Sequence, residues 1–245
     1  MTTRAVLIDL DDTLFDHRGS ARAALTEVHQ RHAAQVAFAE FERQHTHHLE
    51  VLHLDVLAGR RSIDDARRER FRRVFGGVGA ALDERGVDAV AAAYRRAYMH
   101  ARRALDGAAA LLEAIRPHAR IAIVSNNLLD EQQEKLQFCG LAALVDVLVV
   151  SEEAGMSKPD PAIFDIALER LGAPRDTAVM FGDSWAADVV GAVRAGIRPV
   201  WFNPLRKPRP QGPDGVPPGV AEVFSLTPAG AVVPVLLGAA DRVER

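Results

Sequence analysis

Five short runs of apolar, mostly β-branched residues constrain the fold of this 245-residue chain more than any other feature of its sequence. The runs end at Leu10, Ser125, Ser151, Gly182 and Phe202. They lack the polar alternation of half-exposed strands, which is typical of strands buried on both faces of a parallel sheet. Helical stretches separate the last four runs. One, 160–171, begins with Pro161 in its first turn and ends before Gly172, and another, 186–195, ends before Gly196. This alternation predicts an α/β fold with a doubly wound, Rossmann-like parallel sheet.

The interval between the first two predicted strands is too long for a single crossover. Residues 16–105 contain no proline and are rich in Ala, Arg, Leu and His. Apolar residues recur there at helical spacing, for example at Ile63, Ala66 and Phe71. We therefore expect four or five helices over 16–105, forming an all-helical cap domain inserted into a core domain of residues 1–15 and 106–245.

The C-terminal part of the chain begins with a segment dense in proline and glycine. Residues 203–219 read NPLRKPRPQGPDGVPPG, a composition that predicts a loop. A short final strand over 221–224 and a helix near 227–242 would then complete the core domain. The predicted sheet accordingly has five or six strands.

Charge, cysteine content and hydropathy exclude several classes of protein. The net charge is -3, and no basic stripe is interleaved with aromatic residues, so we expect no nucleic-acid polymer as a partner. No apolar run approaches the roughly 20 residues that cross a bilayer, which argues against membrane insertion. Cys139 is the single cysteine, and the first residues lack a signal-peptide pattern, which favours the cytoplasm as the compartment. We expect a monomer or a homodimer.

Polar side chains stand where the predicted strands end. In an open parallel sheet, ligands bind beyond the carboxyl ends of the strands. The residues found there are Asp9, Asp11, Asp12, Thr13, Ser125, Asn126, Asn127, Asp183, Ser184 and Asp188, with Lys158 in the loop before the 160–171 helix. Three or four carboxylates are therefore expected to converge with one lysine and one serine hydroxyl.

This set of residue types favours phosphoryl transfer. Crowded carboxylates repel one another and need a hard cation, and Mg²⁺ with oxygen ligands meets that need. Beside a cation, Asp9 can stay ionised and attack an electrophile, while Asp11, two residues on, can exchange protons. Lys158 and Ser125 add donors for the oxygens of an anion. Together these groups predict a reaction through an aspartyl-phosphate.

The motifs DLDDT at 9–13, SNN at 125–127, SKPDP at 157–161 and GDSWAAD at 182–188 resemble the four motifs of the haloacid dehalogenase (HAD) superfamily of hydrolases. The resemblance runs through the whole chain in order. It implies that Asp9 is the nucleophile and Asp11 the general acid and then base. It also implies that Asp9, the main-chain carbonyl of Asp11, and Asp183 bind Mg²⁺.

The same resemblance implies supporting roles for the other motif residues. Ser125, Asn126 and Lys158 would bind the phosphate, and Thr13 and Asp188 would support the site. The insertion resembles the helical caps that close over small-molecule substrates in that superfamily. The expected partner is thus a small phosphate monoester.

Finer features bear on the reaction. Asp11 together with Asp183 argues against dehalogenation, and the absence of lysine from 16–105 excludes a Schiff base formed by a cap lysine. Segments 52–74, 149–172 and 201–204 resemble the pyrimidine 5'-nucleotidase branch, although that branch more often has Thr-Asn-Gly where this chain has Ser-Asn-Asn. Hydrolysis of nucleoside 5'-monophosphates is therefore the leading hypothesis. A sugar-phosphate or phosphoglycolate phosphatase, a phosphosugar mutase and a non-catalytic binding protein remain as alternatives.

Overall fold

The computed structural model describes residues 4–210 and 216–238 and divides into two compact units. The core unit comprises Met1–Asp16 and Arg103–Arg245, and the helical unit comprises His17–Arg102. None of the helices in the described ranges has the length and apolar character of a membrane span.

The described residues of the core unit contain one sheet of six parallel strands in the order β3-β2-β1-β4-β5-β6. Its strands are β1 (Ala5–Ile8), β2 (Arg120–Ser125), β3 (Val147–Val150), β4 (Ala178–Gly182), β5 (Arg198–Phe202) and β6 (Ala221–Val223). The chain runs outward from β1 to β3 on one side and then returns to build β4 to β6 on the other. The strand order therefore reverses at β1, which is where ligands bind in doubly wound sheets. The predicted fold class is confirmed.

Four helices make up the helical unit, and six helices flank the sheet in the described part of the core unit. The former are α1 (His17–His32), α2 (Phe38–Leu57), α3 (Ile63–Gly77) and α4 (Glu84–Ala101). The latter are α5 (Ala108–Ile115), α6 (Leu129–Phe138), α7 (Ser151–Ala154), α8 (Pro161–Leu171), α9 (Val190–Arg194) and α10 (Ala229–Leu237).

Burial explains why the strand sequences are so uniformly apolar. Every residue of β1 and of β4 is buried, as in a sheet covered on both faces. Leu7, Val124 and Met180 belong to one apolar cluster with Phe164 of α8. The central strands are therefore packed on both faces, which positions the residues that follow each strand.

Helix α8 shows how local sequence sets the ends of an element. The Asp160 side chain accepts a hydrogen bond from the Ala162 amide at 3.0 Å, and Pro161 occupies the first turn. Gly172 ends the helix with a left-handed φ of 61°. The bounds expected from the sequence are confirmed here.

The stretch expected to be one helix over 186–195 instead begins with a π-helical turn, Trp185–Val189, and only then continues as α9. The Asp188 carboxylate accepts a hydrogen bond from the Ser184 amide at 2.9 Å, while the Ser184 hydroxyl accepts one from the Ala187 amide at 3.2 Å. In this wider turn the Val189 amide donates to the Ser184 carbonyl, five residues back, at 3.3 Å.

The end of the chain also differs in detail from the sequence expectation. Helix α10 covers Ala229–Leu237, and the 239–242 part of the helix expected near 227–242 lies outside the described residues. In the segment expected to be a loop, residues 203–210 and 216–219 form neither helix nor strand, and residues 211–215 are not described.

Candidate active site

Strand register brings the motif residues to one edge of the sheet. Ile8 at the end of β1 lies opposite Ile123 of β2 and Phe181 of β4. The Asp9 amide donates a hydrogen bond to the Phe181 carbonyl at 2.9 Å. Asp9 therefore leaves β1 beside the end of β4, where Asp183 follows.

Asp9, Asp183 and Asp188 form an acidic cluster at this edge. Each offers a carboxylate oxygen, and these oxygens all lie within 4.8 Å of one another. Asp9 and Asp188 are buried, with exposures of 8% and 1%, and Asp183 is half-buried. Asp188 is therefore not a surface acid of its helix but part of the site.

Lys158 neutralises part of this negative charge. Its ammonium Nζ donates to Asp9 Oδ1, Asp188 Oδ1 and the Val124 carbonyl, each at 2.7 Å. The side chain is 2% exposed. All three ammonium hydrogens therefore have acceptors in the protein, which fixes the position of the charge.

The pKa shifts follow from burial and from the excess of carboxylates. Burial raises the pKa of the Asp9 carboxyl well above its ordinary value; Lys158 lowers it in part, and Asp188 and Asp183 raise it further. Burial by itself disfavours the Lys158 ammonium, but Asp188 and Asp9 outweigh it and raise the Lys158 pKa. The two pKa shifts therefore favour a charged Lys158 and, without a further cation, a protonated Asp9.

A hard divalent cation fits this set of donors. Three carboxylates stand against one ammonium, and the cluster offers the oxygen ligands that such ions prefer. Lys158 donates to Oδ1 of both Asp9 and Asp188. Among the hydrogen bonds described, the other Asp9 oxygen, Oδ2, has one donor, the Thr13 hydroxyl at 3.4 Å. The acidic cluster could therefore hold a metal ion, and a bound cation would lower the pKa of Asp9.

Thr13 and Trp201 hold the loop after β4 in place. The Thr13 hydroxyl, fully buried, accepts a hydrogen bond from the Asp183 amide at 3.1 Å and donates weakly to Asp9. The Trp201 indole N–H donates to the Asp183 carbonyl at 3.0 Å. Thr13 therefore connects the loops after β1 and β4, and Trp201 is a contributor that the sequence motifs did not indicate.

Asn126 is engaged with the main chain of Lys158. Its Nδ2 donates to the Lys158 carbonyl at 2.8 Å, and its Oδ1 accepts from the Lys158 amide at 2.7 Å. These two bonds connect the loop after β2 to the loop that carries the lysine. The Asn126 side chain thus positions Lys158, and phosphate binding by Asn126 would fall to its main-chain N–H.

The Asp11 carboxylate contacts helix α6, which the motifs did not predict. Lys135 Nζ donates to both carboxylate oxygens at 2.6 and 2.8 Å. Gln132 Nε2 and Asn127 Nδ2 donate to Oδ2 at 2.9 and 3.1 Å. Gln132 Nε2 also lies 2.6 Å from Ser125 Oγ. The available signal was the rarity of lysine, with Lys135 one of three in the chain.

Residues 3–196 match the family of haloacid dehalogenase-like hydrolases. The match covers well over half of the chain, which therefore belongs to this family. The matched range contains all four motifs, at 9–13, 125–127, 157–161 and 182–188.

Two curated relatives and one solved structure indicate how far the likeness extends. The chain is 42% identical to pyrimidine 5'-nucleotidase YjjG of Escherichia coli (strain K12) over 109 residues, 44% of this chain and 48% of that protein. It therefore spans about half the length of that relative. It is 31% identical to the ribulose-1,5-bisphosphate 5-phosphatase of Halopiger xanaduensis over 224 residues, 82% of this chain and 84% of that protein.

The fold matches that of a protein solved by crystallography. The structure of the HAD hydrolase YfnB from Bacillus subtilis, bound to magnesium, superposes with a TM-score of 0.72 at 24% identity. The likeness covers 95% of this chain and 99% of that one. At this identity the comparison supports the shared fold of the two proteins.

Proposed function

We propose that this protein is a Mg²⁺-dependent phosphatase that hydrolyses small phosphate monoesters through an aspartyl-phosphate on Asp9. The observation that carries the proposal is the placement of Asp9 at the switch point of the sheet, in contact with a buried lysine and beside two further carboxylates. A nucleophilic carboxylate needs such positive charge, both to stay ionised and to approach an anionic ester.

In the first step Asp9 attacks phosphorus, a new P–O bond forms to its carboxylate, and the bond to the leaving oxygen breaks. Asp11 enters this step protonated, with a proton taken from solvent, and gives that proton to the leaving oxygen. The Lys158 ammonium, held by Asp9, Asp188 and the Val124 carbonyl, supplies positive charge beside the phosphoryl group. The Ser125 hydroxyl donates a hydrogen bond to a phosphoryl oxygen. When bound by Asp9, Asp183 and the main-chain carbonyl of Asp11, Mg²⁺ supplies positive charge beside the phosphoryl group.

In the second step Asp11, now ionised, takes a proton from water, which attacks the phosphorus of the aspartyl-phosphate. The P–O bond to Asp9 breaks, inorganic phosphate is released, and the Asp9 carboxylate is regenerated. Asp188 takes no part in bond making; by accepting a hydrogen bond from Lys158 at 2.7 Å it holds the ammonium in place.

For the substrate, we propose nucleoside 5'-monophosphates, with pyrimidine nucleotides preferred. The relative at 42% identity is named a pyrimidine 5'-nucleotidase. By the family resemblance, the helical unit would act as the cap that distinguishes substrates. Residues 17–102 carry 15 Arg against 11 Asp and Glu, which gives that unit charge-assisted donors for polar groups of a nucleotide.

A sugar-phosphate phosphatase is the second candidate. The relative named ribulose-1,5-bisphosphate 5-phosphatase aligns over 82% of this chain, whereas the nucleotidase aligns over 44%. The longer alignment favours a phosphorylated sugar, and the higher local identity favours a nucleotide.

A panel of phosphate monoesters tests both proposals. With Mg²⁺, the wild-type protein should hydrolyse p-nitrophenyl phosphate and favour dUMP, dTMP or UMP over purine nucleotides and sugar phosphates. Excess EDTA should abolish turnover, and Asp9→Asn is the matched inactive control. A sugar phosphate that outperforms every nucleotide tenfold in kcat/KM, about 1.4 kcal/mol, would select the second candidate. Full activity in EDTA, with metal content checked, would refute metal dependence.

A further inference from the structure

Two buried polar side chains of helix α6 contact the groups proposed to react. Gln132 has no exposed surface and Lys135 is 3% exposed, whereas Gln133 between them is exposed. Residues three apart lie on the same face of a helix, so Gln132 and Lys135 point to one side together. That side contacts Asp11, in the loop after β1, and Ser125, the last residue of β2.

Gln132 connects Asp11 to Ser125 through a single amide nitrogen. Its Nε2 lies 2.9 Å from Asp11 Oδ2 and 2.6 Å from Ser125 Oγ. With Asp11 ionised, the amide nitrogen must face it, because the carbonyl oxygen turned toward the Asp11 carboxylate would form no hydrogen bond. Ser125 Oγ therefore accepts from Gln132, and its own hydrogen is left to point at another acceptor, such as a phosphoryl oxygen.

The other end of the Gln132 amide supports a role beyond stability. Among the described residues, its buried Oε1 has no hydrogen-bond partner. A buried acceptor without a partner is unfavourable in a folded protein, and such groups are uncommon in native structures. A methionine would fill the same space without this penalty, so the retained amide indicates a role at the site.

Lys135 fixes the rotation of the Asp11 carboxylate. The ammonium contacts both oxygens, at 2.6 and 2.8 Å, and lies 5.2 Å from the centre of the Phe15 ring. A contact with both oxygens opposes rotation of the carboxylate about its Cβ–Cγ bond. Asn127, at 3.1 Å from Oδ2, adds a third donor from the loop after β2.

We propose that Gln132 and Lys135 are positioning residues, which aim the Asp11 carboxylate at the leaving oxygen and the Ser125 hydroxyl at the phosphoryl group. This inference rests on the proposed phosphatase function. It assigns different effects to the two side chains. Lys135 contacts Asp11 and so governs proton transfer, whereas Gln132 contacts both Asp11 and Ser125 and so governs phosphate binding as well.

The test compares esters that differ in their need for an acid. A p-nitrophenolate leaves readily without a proton, whereas an alkoxide requires one, so a misplaced acid slows alkyl esters more. For wild type, Lys135→Met, Lys135→Arg, Gln132→Met and the exposed-neighbour control Gln133→Met, kcat/KM is measured with p-nitrophenyl phosphate and with the best alkyl phosphate of the panel. This parameter covers only the steps up to departure of the leaving group.

We expect Lys135→Met and Gln132→Met to lose about 100-fold in kcat/KM for the alkyl ester, the order of effect of a misplaced catalytic group. The loss with p-nitrophenyl phosphate should be at least tenfold smaller. Lys135→Arg, which keeps the charge, should recover part of the loss, and Gln133→Met should match wild type. The inhibition constant of inorganic phosphate should rise in Gln132→Met and change less than twofold in Lys135→Met.

Four results would overturn the inference. Equal losses for both esters in Lys135→Met and Gln132→Met would indicate general structural damage, as would an equal loss in Gln133→Met. If circular dichroism shows that Lys135→Met does not fold, Lys135→Arg and Gln132→Met decide the question. In that case an unchanged ratio of kcat/KM between the alkyl ester and p-nitrophenyl phosphate in both variants would refute the inference. A wild-type protein that hydrolyses neither ester would refute the proposed function itself, which this inference requires.

Discussion

Replacing Lys158 by methionine would remove the only protein cation in contact with Asp9 and Asp188 among the hydrogen bonds described. Methionine keeps most of the apolar volume of the lysine stem, so the change is chiefly one of charge and hydrogen bonding. The two buried carboxylates would lose their ammonium partner at 2.7 Å, and the Val124 carbonyl would lose a donor.

The cost in stability can be worked out in two ways. Removing one partner of a buried ion pair destabilises proteins by about 3–5 kcal/mol. Counting bonds gives a similar value, because the two charge-assisted hydrogen bonds contribute about 1.5–3 kcal/mol each. We therefore expect Lys158→Met to lower the free energy of unfolding by about 3–5 kcal/mol at pH 8 in EDTA.

The loss of unfolding free energy in Lys158→Met should depend on pH and on Mg²⁺ in a stated direction. Without the ammonium, the pKa of Asp9 rises further above its value in the unfolded chain, so the folded variant takes up protons as the pH falls. Its deficit relative to wild type should therefore be smaller at pH 5 than at pH 8. Mg²⁺ at 100 times its dissociation constant should stabilise the variant by about 2.7 kcal/mol.

Urea unfolding followed by tryptophan fluorescence measures these changes, because both tryptophans, Trp185 and Trp201, lie in the core unit. Lys207→Met is the matched control, since Lys207 is exposed, and it should change stability by no more than about 0.5 kcal/mol. A loss below about 1 kcal/mol for Lys158→Met in EDTA, the value of a surface ion pair, would refute the reasoning.

Two further predictions concern Gly182 and His45. A Cβ at Gly182 would overlap the Asp188 carboxylate, so Gly182→Ala should lose about 1–3 kcal/mol of stability and most phosphatase activity. Gly230→Ala, where no atom lies within 4 Å of the added Cβ, is the control and should lose neither. Urea unfolding measures the stability of both variants, and kcat measures their activity. Burial lowers the pKa of His45, and the positive charges of Arg70, His17 and His48 add to the effect. The unfolded chain therefore binds the proton more readily than the folded protein, so the free energy of unfolding falls as the pH drops below about 6.5. His45→Phe should flatten this dependence, by up to about 1.4 kcal/mol per pH unit, in urea unfolding at pH 7.5 and 5.5; an unchanged slope would contradict it.

The sheet was predictable because its signals are local. Strands buried on both faces need continuous apolar runs, and Pro161 and Gly172 mark the ends of α8 within the sequence itself. The convergence of Asp9 and Asp183 follows from the same argument, since parallel neighbours in register end at the same edge. Propensity and periodicity therefore suffice for the architecture and for the residues directly after the strands.

The contacts of α6 could not be predicted in the same way. Gln132 and Lys135 are polar residues on a helix, and periodicity alone assigns such residues to a solvated face. Their burial depends on how α6 is rotated against the sheet edge, which tertiary packing decides. The π-helical turn Trp185–Val189 could not be predicted for a related reason. Its Asp188 contacts Lys158, which is distant in sequence, and also accepts a hydrogen bond from the Ser184 amide, and neither contact shows in the local periodicity.

Trapping the phosphorylated protein tests the central claim most directly. A single turnover with ³²P-labelled substrate and Mg²⁺, quenched in acid within milliseconds, should yield protein-bound phosphate that peptide mapping places on Asp9. Asp9→Asn should give no labelled protein and should lower kcat by several powers of ten, about 10⁶-fold when a catalytic unit loses an essential member. Rapid hydrolysis without any protein-bound phosphate, together with substantial turnover by Asp9→Asn, would contradict the account.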